Sequence, residues 1–347
     1  MNARAINSDR LVSVQYLRAF AALLVVAHHA RNPIPGLFNP LVGYPALAYG
    51  VDIFFGISGF IMVVSAIDDR VGDFVVKRLI RIVPLYWGAT LTLALITVDP
   101  SAIPWRDLGQ SLLFIPHWNL DSPPQIWPFL VAGWTLNLEV FFYAVFALGL
   151  WLGRPRLVVP GVIVGFVVLG WILNPSSAIG ITYTSWILLE FVAGLLIGLV
   201  TLRGWVLPKS VAVVAVSLGL FLLLGADGVG FDDPSPIDRL VSVILILGGG
   251  VALNGTSGKH RYAQILGDAS YSIYLVHTVI GLRFAQIVFD KIWQPIFHLH
   301  GVYQFVSWMA IAICVCALIG VLTYYAVERP LLRLLRSRLM PAPRYTH

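Results

Sequence analysis

Charge and cysteine are both scarce in this 347-residue sequence, and each scarcity excludes something. Charged side chains make up 12% of it and hydrophobic ones 58%, where a soluble domain carries about a quarter charged residues. Such a chain cannot clothe a water-facing surface, and its mean hydropathy of +0.84 places it in a bilayer. Cysteine occurs twice, at Cys314 and Cys316 inside one apolar run. Two positions apart on a helix they point away from each other, which excludes a disulfide framework. No 20–50-residue repeat, low-complexity tract or second domain interrupts the chain, and no small-residue cleavage site follows the first apolar run. The excess of six positive charges is not gathered into a stripe, so a nucleic-acid partner is excluded and membrane orientation explains the charge.

What is present is a series of apolar runs. A crossing helix needs about 20 apolar residues, and ten candidates are read at 12–30, 47–66, 82–98, 128–150, 157–173, 183–200, 210–225, 239–254, 269–289 and 304–327. Eleven Trp and thirteen Tyr suit two interfacial aromatic belts. With the N-terminus in the cytoplasm, the inner segments hold seventeen Lys and Arg. The outer loops hold four: Arg31, Arg106, Arg239 and Lys291. This alternation follows the positive-inside rule and predicts an all-α polytopic membrane protein with about ten transmembrane helices and both termini cytoplasmic. Its parts are a cytoplasmic segment 1–11, a membrane domain 12–328 and a basic cytoplasmic tail 329–347. The lipid bilayer is its first partner; the sequence does not fix its oligomeric state.

The outer loops differ in kind from the inner ones. Residues 99–127 carry Trp105, Pro116, His117, Trp118, Pro123 and Pro124, and 226–238 carry Asp227, Asp232, Asp233 and Asp238. They suit binding of something polar outside, or serve as an ordinary cap over the bundle.

The first span, "QYLRAFAALLVVAHHARNP", has a cation at one end and two histidines at the other. Arg18 and His29 are eleven residues apart, about three helical turns and 20° over about 16 Å. They share a face near opposite sides of the membrane, while His28 falls about 80° off it. The plain account is that Arg18 snorkels to the inner interface and the histidines sit among headgroups. The functional account is a site, because ionisable groups inside spans usually face the interior. Histidine is also the side chain suited to general-base work near neutral pH.

Other spans carry polar residues of their own. Asp52 in "GVDIFFGISGF" is expected at the level of His29, either orienting its imidazole or capping a helix. Gly56 and Gly59 there permit close helix approach. Arg78 and Arg81, three apart, share a face and suit a phosphate clamp or simple anchoring. Glu139 lies inside the fourth span with Asn137 and Thr135 beside it. His277 lies near the middle of the ninth, with Ser270 and Tyr274 at helical spacing below it. Glu328 and Arg329 before Pro330 read as a helix end. "HLH" at 298–300 with His117 lacks the further ligands a zinc site needs, so no metal is expected. "NGT" at 254–256 matches a glycosylation sequon on the inner side, and "GGG" at 248–250 reads as packing.

In order along the chain, Arg18 and His29, "GVDIFFGISGF", Arg78 and Arg81 followed by "PLYW", "WTLNLEVFFY", "SYSIYLVH" and "ERP" resemble acyltransferase family 3, the multi-spanning membrane O-acyltransferases. The resemblance runs from Tyr16 to about Leu332 and looks most like the branch that acetylates bacterial exopolysaccharides, of the succinoglycan type. Thr135 stands for the common serine and keeps a hydroxyl. Gly56 stands for a larger residue, which would widen a local gap. The resemblance is to a stand-alone member, one expected to lack an appended SGNH-type hydrolase domain.

The resemblance implies an acyl-CoA donor, acetyl-CoA by branch, with no permanently bound cofactor. It implies a polysaccharide or lipid-linked oligosaccharide acceptor and a place in the bacterial inner membrane. On that reading Arg78, Arg81 and Arg18 hold donor phosphates, and His29 is the base with Asp52 orienting it. Glu139 supports catalysis, and Asn137, Tyr274 and His277 face the acceptor. A covalent acyl-histidine relay is a variant. The rival is a transporter or flippase without chemistry, which usually shows two related halves that this sequence lacks.

Overall fold

The computed structural model describes residues 10–31, 37–42, 44, 46–96, 103–120, 122–225, 235–254 and 260–340. Asp227, Asp232, Asp233, the start of the 99–127 loop and most of the 254–256 sequon lie outside these. Among the described residues every regular element is helical. The helices are α1 (Arg10–Ala30), α2 (Gly50–Ala66), α3 (Val71–Ile96), α4 (Trp105–Leu112), α5 (Trp134–Trp151), α6 (Pro155–Leu173), α7 (Ala178–Tyr183) and α8 (Leu188–Leu202). They continue as α9 (Lys209–Leu220), α10 (Pro236–Ala252), α11 (Arg261–Asp268), α12 (Ser270–Val276), α13 (Leu282–Val288), α14 (Gln294–Phe297), α15 (Gly301–Thr323) and α16 (Arg329–Leu339). Wider π turns follow α9, α12, α13 and α15.

Among the described residues, eight helical stretches are long and apolar enough to cross a membrane. They are Val12–Ala30, Leu47–Ala66, Val71–Ile96, Val131–Trp151, Pro155–Leu173, Ala178–Leu202, Ser270–Phe297 and Gly301–Leu339. The expected seventh and eighth spans are helical too, as Lys209–Gly225 and the 17-residue α10, but both are short for a crossing.

Two boundaries differ most from the sequence reading. The third helix begins at Val71 rather than 82, because Lys77, Arg78 and Arg81 lower the local hydropathy without breaking the helix. Pro330 does not end the last helix either, which corrects the helix-end reading of Glu328 and Arg329. The π turn Tyr324–Glu328 comes first, and α16 continues to Leu339. Proline lacks an N–H and crowds the carbonyl four residues back; a widened turn relieves both.

The chain forms two compact units. One comprises Met1–Ser65 and Trp186–Val321. Its centre is α1, against which α10, α11 and α12 pack. Ile53, Ile57, Phe60, Ile246 and Leu247 are almost fully buried in its core with Val14 and Ala21. Burying each such side chain is worth about 1.5–3 kcal/mol against leaving it in water, an upper bound for a protein whose alternative is lipid. Instead, close backbone contact holds α2 and α8 together: a Cβ on Gly59 would meet the Phe191 carbonyl, and one on Gly194 would meet the Gly56 carbonyl. Gly56 therefore opens no gap, contrary to the sequence expectation; it lets α8 close onto α2. Gly249 and Gly250 likewise admit α9 and Leu17, as the packing reading of "GGG" has it.

The other unit comprises Ala66–Ser185 and Leu322–His347. Here α5 packs on α3 and α6, and Phe74, Phe142 and Phe146 are fully buried among them. Phe74 and Phe146 stack with centroids 5.0 Å apart. The stretch around α4 is tied down by polar bonds. The Tyr86 hydroxyl donates to the Ser111 carbonyl at 3.2 Å, and the Ser111 hydroxyl takes the Phe129 N–H at 2.7 Å.

Candidate functional site

Three polar centres are built into the two units. The first occupies the end of α1 beside α12. Helical phase brings His29 to the face that α12 covers, and His277 opens the π turn there. The His277 Nε2 atom lies 3.2 Å from His29 Nδ1, with ring centroids 4.9 Å apart. Each Nδ1 also docks on a carbonyl of its own helix four residues back. His29 reaches Val25 at 3.0 Å and His277 reaches Ile273 at 3.2 Å. Carbonyls only accept, so both Nδ1 atoms carry the hydrogen when the rings are neutral. His277 Nε2 is then a lone pair that receives the second share of the His29 N–H. The His29 Nε2 lone pair is left without a hydrogen-bond partner among the described residues.

His28 is arranged differently. Its Nδ1 accepts from the Arg31 guanidinium at 3.3 Å, which commits its lone pair and places its hydrogen on Nε2. Arg31 also donates to the Leu41 carbonyl at 3.4 Å, and burial lowers its pKa from the ordinary value while leaving it charged. The last turn of α1 is held from the side by Trp308, whose indole N–H donates to the Ala30 carbonyl at 2.7 Å. That bond satisfies one of the carbonyls a helix end leaves open. At the other end of α1, Arg18 Nε donates to the buried Ser270 hydroxyl at 3.2 Å. The two helices thus meet at Arg18 with Ser270 and at His29 with His277. Tyr274, one turn before His277, lies 6.1 Å from its ring.

Asp52 belongs to a second centre. It does not reach His29, whose described partners are Val25 and His277. Instead its carboxyl meets Glu190 of α8, and Arg239 of α10 stands 3.6 Å away. Asp52 and Glu190 are each 2% exposed. Buried charges need a partner of opposite sign, and Arg239 is the cation beside this pair. Arg239 also lies over the Tyr49 ring at 5.4 Å. The sequence reading passed over Glu190, although a carboxylate in the apolar run "WILLEFVAGLL" carries the same signal as Glu139. Arg239 was counted only as an outer cation.

The third centre lies in the other unit. Arg78 of α3 sits over the faces of Phe74 and Tyr143, 5.4 and 5.7 Å from the ring centroids. The Tyr143 hydroxyl donates to Glu139, one turn earlier on α5. Arg78 Nε is buried and makes no hydrogen bond among the described residues. Arg81, one turn further along α3, is 3.1 Å from Glu328, a carboxylate with 1% of its side chain exposed. Glu328, read from sequence as a helix-end residue, is therefore the partner of one of the paired arginines. Asn137 is buried at the start of α5, and its Oδ1 has no hydrogen-bond partner among the described residues. Among those residues no group of three or more His, Cys, Asp or Glu is placed to hold a metal.

A many-helix apolar chain with ionisable side chains packed among its spans reads as a membrane protein with a polar interior. Comparison with known proteins makes this specific. Residues 11–325 match the family model of the Acyltransferase domain of type 3, and the chain belongs to that family. It is 41% identical over 308 residues to the exopolysaccharide production protein ExoZ of Rhizobium meliloti (strain 1021). The match covers 85% of this chain and 92% of that protein. No solved structure matches. The protein is thus a multi-pass helical membrane acyltransferase.

Proposed function

We propose that the protein transfers an acetyl group from cytoplasmic acyl-CoA to a hydroxyl of a bacterial exopolysaccharide, or of its lipid-linked precursor, at the outer side of the inner membrane. Family membership supports acyl transfer, and the relative's name supports the exopolysaccharide. The alternation of basic residues supports ten crossings with both termini inside, α9 and α10 included.

The observation that carries the chemistry is the uncommitted His29 Nε2. A sugar hydroxyl is a poor nucleophile at neutral pH until a base takes its proton. His29 Nε2 accepts that proton as the oxygen bonds to the thioester carbonyl carbon. The carbon–sulfur bond then breaks, and the imidazolium returns the proton to the leaving thiolate, giving the O-acyl product and free CoA. As charge develops on the His29 ring, its Nδ1–H bonds to His277 and Val25 strengthen, so His277 positions the base and steadies its cation. Arg78 is the stronger candidate for a donor phosphate, because Arg81 is already paired with Glu328.

The test is release of free CoA from acetyl-CoA by the purified protein in nanodiscs, with and without an acidic exopolysaccharide repeat unit. Acceptor-stimulated release is expected to vanish in His29→Ala and to stay within about twofold of the parent in His28→Ala, whose lone pair is spent on Arg31. Equal loss in both variants would overturn the assignment of the base.

A further inference from the structure

The turn joining α5 to α6 lines a cavity that neither the histidine centre nor the Arg78 group uses. It has a volume of about 330 Å³ and is walled by Ile67 and Asp68 from before α3 and by Gly153, Arg154, Pro155, Arg156 and Leu157. All of these belong to one compact unit. The turn is tightly specified. Gly153 takes a left-handed φ of +66°, and the Gly153 and Arg154 N–H groups close onto Leu150 and Gly149. This fixes where Arg154 and Arg156 leave the backbone.

Both arginines are exposed, and neither makes an ion pair or side-chain hydrogen bond among the described residues. The nearby cation Lys77 is differently placed: Asp69 holds it through both carboxylate oxygens, at 2.7 and 2.9 Å. Asp68 also lines the cavity, so its walls carry two positive charges and one carboxylate that accepts hydrogen bonds. A volume in the range of small-ligand sites with two forked cations on one wall suits a phosphorylated nucleoside better than a bare anion. The spacing agrees. Arg78 lies seven residues into α3 from Val71, about 10 Å along the helix from the end that follows Asp68. That is about the reach of a nucleoside whose far phosphates extend toward Arg78.

We infer that this cavity is the seat of the donor's nucleotide end, with Arg154 and Arg156 holding the 3′-phosphate of the CoA moiety and Asp68 accepting from the ribose or base. The inference rests on the acyl-CoA reading above. It divides donor recognition in two: a nucleotide subsite at the α5–α6 turn, and Arg78 for the diphosphate.

The test compares acetyl-CoA, acetyl-dephospho-CoA and S-acetyl-pantetheine as donors for the parent and for an Arg154→Gln, Arg156→Gln variant in nanodiscs. The exposed positions leave folding intact. The variant is expected to raise KM for acetyl-CoA about tenfold and to leave KM for acetyl-pantetheine unchanged, since only the former has the phosphate. Acetyl-dephospho-CoA should no longer be distinguished from acetyl-CoA by the variant. An unchanged KM for all three donors would overturn the subsite. So would a defect that disappears when phosphatidylglycerol is withdrawn from the nanodisc, which would assign the arginines to a lipid headgroup. Failure of the donor reading is separately visible, because the parent would then release no CoA from any donor. In that case calorimetry with adenosine 3′,5′-bisphosphate decides: binding by the parent and its loss in the variant supports the nucleotide subsite, and no binding by the parent removes it.

Discussion

The histidine centre and the Arg78 group are both polar centres among apolar helices, and they are built on opposite principles. Around His29 every partner is directional: two carbonyls and one ring nitrogen specify which atom carries each hydrogen. Around Arg78 the partners are the faces of Phe74 and Tyr143, which attract a cation without orienting its N–H groups. The first arrangement holds a proton at a chosen atom. The second holds a charge and leaves its donors available. General-base catalysis needs the first and anion binding needs the second.

Kinetics can pull the two centres apart. The largest effect is expected for His29→Ala, which should lower kcat by about 10²–10⁴-fold, the usual worth of a positioned base, with little change in KM for acyl-CoA. A His29 variant that raised KM instead would place the histidine on the donor and erase the contrast. His277→Ala should lower kcat by about tenfold or somewhat more, the value of one hydrogen bond to a charged group, again at nearly constant donor KM. His277→Asn, which keeps an acceptor in reach, should recover part of that loss; no recovery would make His277 a packing residue. Arg78→Ala should do the reverse, raising donor KM about tenfold while kcat at saturation changes little. Arg78→Lys should fall between, because it keeps the charge and loses the planar fork and ring stacking. Identical behaviour of the Lys and Ala variants would mean that geometry, not charge, is what Arg78 supplies.

Much of this was legible in the sequence, for identifiable reasons. Hydropathy alone located the helical runs, because burial in lipid demands unbroken apolar stretches satisfied by their own backbone bonds. It missed the start of α3 because hydropathy cannot tell a charged helical turn from a loop, and Lys77, Arg78 and Arg81 fill that turn. Helix phase put Arg18 and His29 on one face, and the structure places Ser270 and His277 of the neighbouring helix against them. The identity of the partners was beyond phase: Asp52 looked placed to orient His29, nothing in the sequence marked His277 for that role, and only packing directs Asp52 to Glu190 and Arg239. Pro330 misled for a related reason. Its local preference is to stop a helix, and the π turn before it overrides that preference without leaving a mark in composition.

The π turn at His277–Gly281 has a consequence for inheritance. A π turn accommodates one residue more than an ordinary turn, so the helical registers before and after it are offset by about 100°. Losing a single residue there would restore a regular helix and swing Ser270 and His277 a quarter of the way round relative to everything after Leu282. A substitution in this helix leaves that register in place, whereas a change of length does not. Spacing, as much as side-chain identity, is what descendants of this chain must copy.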